Sequence, residues 1–381
     1  MSARTVSSVV LAGGGTAGHV NPLLAVADEL RAREPGAKVL VLGTTTGLEA
    51  DLVPARGYEL RPVPRVPLPR RPSVDLLTLP GKLGAAVKAA EAAIDEIGAQ
   101  AVVGFGGYVS TPAYLAARRR GVPVVIHEQN ARPGLANKLG ARWAARVGVT
   151  FEGTPLRGGV VTGLPLRREI AELVERRESD AAGTRVAAAD VLGLDPTKPT
   201  LLVTGGSSGA LSVNTAVVGA AADLLAAGIQ VLHLTGRGKD GPVREALTRL
   251  DPLADADLYH VREYLPEMHH ALAVADLVVA RSGAGTVCEL AALGIPAVYV
   301  PLPVGNGEQR LNATPLVRAG GGVLVDDADL TPAWVAAQVP ALLRDADGLA
   351  TMAAAARATG VRDAAARVAD LVEQAVAEAG R

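Results

Sequence analysis

The chain has 381 residues, a hydrophobic fraction of 49% and a formal net charge of −1, so we expect two domains of ordinary size and no global attraction for nucleic acid. An aromatic content of 3% argues against stacking platforms for single-stranded nucleic acid, and a single cysteine excludes an intrachain disulfide and disfavours a structural zinc site. The sequence shows neither a signal-peptide pattern nor an apolar run of about 18 residues, which favours a cytosolic or peripheral membrane protein.

The first half of the chain alternates short apolar runs with helix-like segments. Residues 9–12 predict a buried strand that ends in the sequence GGGTAGH at 13–19, and a helix follows for which Asn21 is the expected N-cap. Residues 38–42 predict a second strand. This alternation predicts a parallel sheet with helices on both faces.

The first glycine-rich loop resembles a dinucleotide site only in part. Gly13, Gly15 and Gly18 match the pattern Gly-x-Gly-x-x-Gly, but a nicotinamide site also requires an acid at the end of the second strand to hold the ribose. Gly43 and Thr44 occupy that place. We therefore predict no nicotinamide site and expect no cofactor.

Residues 61–90 interrupt the alternation. Arg61, Arg65, Arg70 and Arg71 are interspersed with prolines, and leucines and lysines follow. Basic residues beside exposed leucines are typical of a surface that rests on anionic lipid. An irregular loop followed by an ordinary amphipathic helix explains the pattern equally well.

Further glycine-rich loops follow apolar runs later in the chain. The sequence GFGGYVS at 104–110 follows the predicted strand 101–105, and GGSSG at 205–209 follows a run that begins near residue 200. The run 277–280 passes into RSGAGT at 281–286 and then into a helix-like segment. The two halves therefore share one order of strand, glycine loop and helix.

The shared order predicts two Rossmann-like domains in tandem. We place them at residues 1–163 and 164–350, followed by a helical segment, 351–381, that could cross back onto the first domain. Open α/β sheets bind ligands beyond the carboxyl ends of their strands. Two such domains with glycine loops predict a two-substrate enzyme that acts on a phosphorylated, nucleotide-linked compound.

The stretch from Arg281 to Glu289 is the clearest candidate anion site. A strand that breaks into small residues and restarts as a helix leaves several N–H groups for a phosphate. Glu289 lies about one turn into the helix, where it could reach a sugar hydroxyl. The alternative is a tight turn with an acid favoured by the helix dipole, and Cys288 in the same helix is more consistent with a small buried hydrophobic residue than with a nucleophile.

Four of these motifs resemble, in order, the signatures of the MurG family of GT-B glycosyltransferases, which is glycosyltransferase family 28. They are the sequences at 13–19, 104–110, HEQN at 127–130 and 281–286. The resemblance extends from about residue 9 to about 325. It implies an α/β protein of the GT-B fold, with two Rossmann-like domains whose parallel sheets face a central cleft.

The resemblance also implies an activity and its partners. A family member moves N-acetylglucosamine (GlcNAc) from UDP-GlcNAc to the 4-hydroxyl of MurNAc in undecaprenyl-pyrophosphoryl-MurNAc-pentapeptide (lipid I), with inversion, and gives lipid II for peptidoglycan synthesis. Lipid I implies peripheral binding to the cytoplasmic leaflet of the membrane. Three alternatives remain open: a GT-B enzyme with another lipid acceptor, a UDP-GlcNAc 2-epimerase that needs no acceptor, and a non-catalytic nucleotide-binding module.

For the donor side, the resemblance assigns the uracil to backbone groups of Leu265, the ribose to Glu289 and the sugar hydroxyls to Gln309. Arg281 would stabilise the departing UDP. The helix dipole and Arg281 could stabilise the charge on UDP without a metal, so metal-free catalysis is expected. The residues implied around the phosphates are Arg167, Ser207, Ala284, Gly285, Thr286, Val287 and Cys288.

For the acceptor side, the resemblance implies a set of loop residues and two candidate bases. His19 is the first choice because an imidazole can titrate near neutrality, although it could instead orient a substrate or cap the helix. Glu128 is the second candidate, or a structural acid at a strand end. The residues implied to line the acceptor site are Thr16, Ala17, Gly18, Tyr108, Asn130 and Asn137.

Overall fold

The computed structural model describes residues 6–66, 75–206, 208–250 and 256–380, without the side chains of residues 75–78 and 256. The chain forms two compact units, of which the first contains residues up to Arg167 together with those from Val361 onward. The second unit runs from Arg168 to Gly360. Within the described ranges, no helix is both long and apolar enough to cross a membrane.

The first unit contains a sheet whose described strands are all parallel, in the order β3-β2-β1-β4-β5-β6-β7. These strands are β1 Ser8–Ala12, β2 Lys38–Gly43, β3 Glu59–Pro62, β4 Ala101–Gly104, β5 Val124–Glu128, β6 Arg146–Val149 and β7 Gly159–Val161. The helices of this unit are α1 Ala17–Arg33, α2 Glu49–Ala55, α3 Asp75–Ile97, α4 Ser110–Arg120, α5 Leu135–Gly140 and, at the end of the chain, α16 Ala364–Ala379.

The second unit has the same architecture, with parallel strands in the order β10-β9-β8-β11-β12-β13. These are β8 Thr200–Thr204, β9 Gln230–Leu234, β10 Tyr259–Arg262, β11 Leu277–Ala280, β12 Ala297–Tyr299 and β13 Gly322–Leu324. The helices are α6 Arg168–Ser179, α7 Ala181–Leu192, α8 Leu211–Gly219, α9 Ala221–Ala226, α10 Gly241–Leu247, α11 Met268–Val274, α12 Ala284–Leu293, α13 Glu308–Arg318, α14 Pro332–Arg344 and α15 Ala346–Thr359.

Strand β1 shows how the sequence builds the core. Its residues are all buried and alternate between the two faces of the sheet. Val9 and Leu11 pack with helices α1 and α16, whereas Val10 and Ala12 pack with α3 and α4. A continuous apolar run is what a parallel strand covered on both faces requires.

Helix α16 completes the core of the first unit. Val368 and Val372 are buried in the same cluster as Val20 and Leu23 of α1. Arg33 at the end of α1 pairs with Asp370 at 2.6 Å and with Glu373 at 3.1 Å. Of the terminal segment 351–381, the part up to residue 359 is the end of α15 in the second unit, and α16 belongs to the first.

The strand order reverses once in each sheet. In the first unit β1 and β4 are neighbours, and in the second β8 and β11 are neighbours. The helices that follow such a pair leave on opposite faces, so a crevice opens beyond the carboxyl ends of the two strands. The glycine loops after these four strands therefore lie at the switch points, which is where ligands bind in this architecture.

The stretch 61–90 is described in part. Arg61 pairs with Glu59 at 2.8 Å and with Glu96 at 2.6 Å, so its charge is already compensated. Residues 67–74, which include Arg70 and Arg71, lie outside the described residues. On α3, Lys82 and Lys88 are exposed.

Candidate active site

The glycine loop of residues 13–16 is held by a carboxylate from α2. Oε2 of the fully buried Glu49 accepts a hydrogen bond from the Gly15 N–H at 2.9 Å, and Oε1 accepts bonds from the N–H and hydroxyl of Thr44 at 2.9 and 2.7 Å. A Cβ at Gly14 would lie 2.5 Å from Oε1 of Glu49, so only glycine permits this approach. Burial by itself raises the pKa of Glu49, but the hydrogen bonds outweigh it and hold the pKa below its ordinary value.

His19 lies in the first turn of α1, because this helix begins at Ala17. Asn21, which was expected to be the N-cap, therefore lies inside the helix. The Nδ1 of His19 is 3.0 Å from the hydroxyl oxygen of Thr16 and 3.2 Å from the carbonyl oxygen of Gly14. A carbonyl oxygen can only accept, so the bond to Gly14 requires the proton on Nδ1 and makes Nε2 the basic nitrogen. The half-buried imidazole is thereby oriented as a general base must be.

Glu128, the second candidate base, is enclosed by the loop that follows β5. It is 2% exposed. Its Oε1 accepts from the Asn130 N–H at 3.0 Å, and its Oε2 accepts from the Gly134 N–H at 3.0 Å and the Asn137 amide at 2.9 Å. Burial raises the pKa of Glu128, while these bonds act in the opposite direction. With both oxygens engaged, the carboxylate orders the loop and positions Asn137.

Asn137 connects the two candidate bases. Its side-chain oxygen accepts a hydrogen bond from the buried Tyr114 hydroxyl at 2.7 Å. A Cβ at Gly106 would lie 3.2 Å from Nε2 of His19 and 3.5 Å from Nδ2 of Asn137. The imidazole and the amide therefore flank Gly106, and His19, Asn137 and Glu128 form one cluster beyond the ends of β1, β4 and β5.

The other residues expected on the acceptor side border this cluster. Tyr108 is 41% exposed, and the guanidinium of Arg65 lies 4.6 Å from the centroid of its ring. Thr16 is the N-cap of α1, and Ala17 and Gly18 begin that helix. Thr16 and Tyr108 belong to the two loops at the switch point of the first unit.

The N-terminus of α12 presents N–H groups that the helix itself does not use. Gly283 is the N-cap without a side-chain bond, and the Val287 N–H donates to its carbonyl at 3.0 Å. The N–H groups of Ala284, Gly285 and Thr286 precede that bond, as the first donors of any helix do. Together with the positive end of the helix dipole they form a site for an anion.

Gly285 is a helical glycine that packing does not require. A Cβ at Gly283 or Gly285 would meet no atom from elsewhere in the described chain within 4 Å, whereas one at Gly205 would lie 2.2 Å from the Ala210 nitrogen. A glycine inside a helix costs about 0.5–1 kcal/mol relative to alanine. Open space beside a costly glycine suits a ligand that approaches the backbone closely.

Both terminal nitrogens of Arg281 bind protein partners. Its Nη1 pairs with Asp327 and donates to the carbonyl oxygens of Val300 at 3.2 Å and Pro301 at 3.1 Å. Its Nη2 donates to the Ser212 hydroxyl at 2.9 Å. These contacts tie Arg281 to the segments that carry Ser212, Pro301 and Asp327.

The other donor-side residues lie on elements of the second unit. Glu289 is half-buried on α12. Burial first, and then the Glu289 carboxylate, raise the pKa of the Cys288 thiol and so disfavour its thiolate form. Oε1 of Gln309 accepts a hydrogen bond from the Leu302 N–H at 3.0 Å, and Leu265 is buried after β10.

Three further residues that were expected around the phosphates differ in their placement. Val287 is buried in α12. Arg167 is half-buried at the end of the first unit, and Ser207 lies outside the described residues. Among the described side chains, no group of three His, Cys, Asp or Glu residues is arranged to hold a metal ion.

Three residues that support the site were not assigned a role from the sequence. Glu49 braces the first glycine loop, Tyr114 holds Asn137, and Asp327 holds Arg281. Asp327 follows β13 and Arg281 follows β11, and the carboxyl ends of parallel strands meet at one edge. An acid directly after a strand was therefore the signal that could have identified Asp327.

Two family descriptions match the chain. Residues 9–149 match the glycosyltransferase family 28 N-terminal domain, and residues 200–368 match the glycosyltransferase family 28 C-terminal domain.

Similar proteins extend over nearly the whole chain. A Clavibacter michiganensis protein named UDP-N-acetylglucosamine–N-acetylmuramyl-(pentapeptide) pyrophosphoryl-undecaprenol N-acetylglucosamine transferase is 57% identical over 370 residues, which cover 97% of this chain and 96% of that protein. A protein of the same name from Paenarthrobacter aurescens is 52% identical over 374 residues, with 97% and 96% covered. The crystal structure of Acinetobacter baumannii MurG matches with a TM-score of 0.74 at 29% identity, covering 97% of this chain and 99% of that one.

Proposed function

The chain belongs to glycosyltransferase family 28, and from this premise we propose that it transfers GlcNAc from UDP-GlcNAc to the 4-hydroxyl of MurNAc in lipid I. The product is lipid II, the disaccharide-bearing precursor of peptidoglycan. Relatives at 57% and 52% identity carry the name of this transferase. The observation in this chain that supports the proposal best is the N-terminus of α12 with Glu289 behind it.

The donor diphosphate binds at the start of α12. Ala284, Gly285 and Thr286 donate N–H groups, and the space beside Gly285 admits the phosphates. A partly buried helix terminus contributes up to about 2 kcal/mol to a nearby charge, whereas each hydrogen bond to a charged oxygen contributes about 1.5–3 kcal/mol. The N–H groups therefore hold the diphosphate more than the dipole does, and Glu289 accepts hydrogen bonds from the ribose hydroxyls.

The acceptor is activated by His19. The 4-hydroxyl of MurNAc attacks the anomeric carbon of GlcNAc from the face opposite UDP, so the configuration inverts and a β-1,4 bond forms. The hydroxyl proton passes to Nε2 of His19, whose Nδ1–H is held by the Gly14 carbonyl. The bond between the anomeric carbon and UDP breaks, and the extra negative charge on UDP is stabilised by the α12 N–H groups.

Glu128 and Arg281 are positioning residues in this scheme. Glu128 orders the loop that carries Asn130 and holds Asn137 beside Gly106. Arg281 keeps Ser212 and the segment at Pro301 in place around the donor loop. Neither group has to gain or lose a proton during transfer.

Binding to the cytoplasmic leaflet of the membrane follows from the acceptor, which is a lipid. Exposed Lys82 and Lys88 on α3 supply positive charge, and the partly buried Leu79 and Leu83 lie on the same helix. Anionic lipids attract such a surface by about 1 kcal/mol per basic residue. Co-sedimentation with vesicles that contain phosphatidylglycerol should fall for Lys82→Glu/Lys88→Glu, and unchanged sedimentation would place the docking surface elsewhere.

The proposed function is tested by product analysis with UDP-GlcNAc and a soluble lipid I analogue. We expect a GlcNAc-β-1,4-MurNAc product. Glycosylation of diacylglycerol without glycosylation of the lipid I analogue would instead identify a glycosyltransferase with another lipid acceptor.

A further inference from the structure

A basic pocket lies at the edge of the second sheet opposite the donor loops. It has a volume of about 550 Å³, and its charged lining consists of Arg177, Arg185, Lys198, Arg357 and Asp276. The amino ends of β8, β11 and β12 border it, whereas the donor loops follow the carboxyl ends of the same strands. The two places are therefore separate.

The length of helix α12 gives the distance between the donor loop and the basic pocket. The first residue of this helix, Ala284, belongs to the donor loop, and Gly294, which caps its last turn, lines the basic pocket. Ten residues of helix at a rise of 1.5 Å span about 15 Å. A phosphate bound by the N–H groups of α12 cannot reach the pocket at the other end.

Asp276, the one acid among the described residues that line the pocket, is already paired with Arg185. The carboxylate oxygens of Asp276 accept two parallel hydrogen bonds from Arg185 at 2.9 Å each, and one of them also accepts from the Thr200 N–H at 2.8 Å. Such a bidentate pair neutralises both partners. Among the described residues, no carboxylate lies at ion-pair distance from Arg177, Lys198 or Arg357, although Asp276 attracts Arg177, and Asp195 attracts Lys198, from farther away.

Arg177 and Arg357 lie close enough for their charges to repel each other. Arg177 donates a hydrogen bond to the Leu272 carbonyl at 3.2 Å, which fixes it in a half-buried position. Burial first, and then the nearby charge of Arg357, lower the pKa of Arg177, and the attraction of Asp276 offsets only part of this. The guanidinium of Arg357 lies over the end of α12, where a Cβ at Gly294 would be 2.8 Å from its Nε. A bound anion would relieve this repulsion.

The remaining wall of the pocket is apolar. Ile295, Leu343 and Leu349 line it, with alanine and proline residues between them. A ligand that satisfies the whole pocket therefore carries an anionic group on an apolar body. A phosphate monoester suits the cationic side best, because it offers up to two negative charges and three acceptor oxygens to two guanidinium groups and one ammonium group.

We propose that the basic pocket is a second ligand site, which binds an organic phosphate through Arg177, Lys198 and Arg357. It is independent of the donor site and takes no part in the transfer. The phosphate can belong to a soluble metabolite or to a lipid headgroup, since both offer the same chemistry.

Isothermal titration of the full chain with phenyl phosphate tests the proposal. We expect Kd to rise about tenfold or more for Arg177→Gln and for Arg357→Gln, as loss of a hydrogen bond to a charged group predicts. The control is Arg249→Gln, which removes an exposed arginine paired with Glu245, and its Kd should equal that of the wild type. The KM for UDP-GlcNAc should be unchanged in all three variants.

Two further arms complete the experiment. Lys198→Gln removes a charge without removing a side-chain hydrogen bond in the described chain, and it tests the pocket if Arg177→Gln does not fold. Vesicles of phosphatidylcholine with phosphatidic acid distinguish a lipid headgroup from a soluble metabolite. Binding of the protein to these vesicles that is lost in Arg177→Gln indicates a lipid headgroup. Binding of phenyl phosphate without binding to the vesicles indicates a soluble ligand. No binding by the wild type, or equal Kd in all variants, would overturn the proposal.

Discussion

At the residue scale, the hydrogen bond between His19 and the Gly14 carbonyl decides which imidazole nitrogen can take a proton. If Nε2 of His19 is the base, His19→Ala should lower kcat by about 10²–10⁴, the usual range for loss of a general base. The KM for UDP-GlcNAc should change little, because the start of α12, Glu289 and Gln309 belong to the second unit. Steady-state kinetics with a lipid I analogue measure both constants.

The matched comparison is Glu128→Gln. This variant keeps the shape of the side chain but replaces one acceptor oxygen by a donor, so it disturbs the loop that carries Asn130 and Asn137. We expect a weaker effect on kcat than for His19→Ala and a higher KM for the acceptor. The opposite order of effects would make Glu128 the base.

Glu49 ties stability to pH in the first unit. Its hydrogen bonds from Gly15 and Thr44 hold its pKa below the ordinary value, so the stabilisation is complete above the unfolded pKa of about 4.3 and is lost as the pH falls through the lower folded pKa. Glu49→Gln should lower the free energy of unfolding by about 1–3 kcal/mol near pH 7. It should also lower kcat, because the loop that orients His19 loosens. Denaturant titrations between pH 3 and 7 measure the difference.

The control for Glu49 is Asp51→Asn, which changes an exposed carboxylate on the same helix. Its stability should lie within about 0.5 kcal/mol of the wild type, as for most surface substitutions. The difference in free energy of unfolding between the wild type and Glu49→Gln should be constant above about pH 5 and should shrink below the pKa of the unfolded carboxyl. A difference that grows on acidification would contradict this account of the loop.

At the scale of elements, Gly285 lowers the stability of α12 but leaves space for the diphosphate beside the helix. Gly285→Ala should raise the free energy of unfolding by about 0.5–1 kcal/mol, because alanine is the better helix former and the added methyl group meets open space. The same methyl group should obstruct the diphosphate and raise the KM for UDP-GlcNAc. Thermal unfolding and initial-rate kinetics on one preparation measure both changes.

The control within α12 is Ala291→Gly, in the buried second half of the helix. It should destabilise the protein by more than Gly285→Ala stabilises it, because it also removes a buried methyl group, with the KM for UDP-GlcNAc unchanged. If Gly285→Ala stabilises the chain without affecting that KM, the glycine does not face the donor.

The elements that the sequence predicted well are the buried strands. The expected runs at 9–12, 38–42 and 277–280 are observed as Ser8–Ala12, Lys38–Gly43 and Leu277–Ala280. A parallel strand covered on both faces must be apolar throughout, and this makes it visible in a single sequence.

The elements that the sequence did not predict lack such a run. Strand Glu59–Pro62 carries charged residues, and Gly159–Val161 is exposed at the edge of its sheet. The start of α1 was also misplaced, because Thr16 takes the N-cap position without accepting a capping hydrogen bond from a helix N–H, and Asn21 was the stronger capping signal. The contact of Glu49 with Gly15 depends on the pairing of β1 with β2, which the local pattern does not specify.

At the scale of the whole molecule, one design occurs twice. Each unit places a glycine loop at the switch point of a parallel sheet, yet the two loops have different local chemistry. The first unit fills its loop with the Glu49 carboxylate and orients an imidazole, whereas the second leaves the N–H groups at the start of α12 for an anion. This difference supports the assignment of the acceptor and its base to the first unit and of the nucleotide to the second.

Release of UDP from UDP-GlcNAc, measured with and without a soluble lipid I analogue, tests the central claim most directly. The account predicts that UDP appears only when the analogue is present, with one UDP released for each β-1,4-linked disaccharide formed. Conversion of UDP-GlcNAc at an equal rate without any acceptor would contradict it and would identify an enzyme that acts on the donor alone.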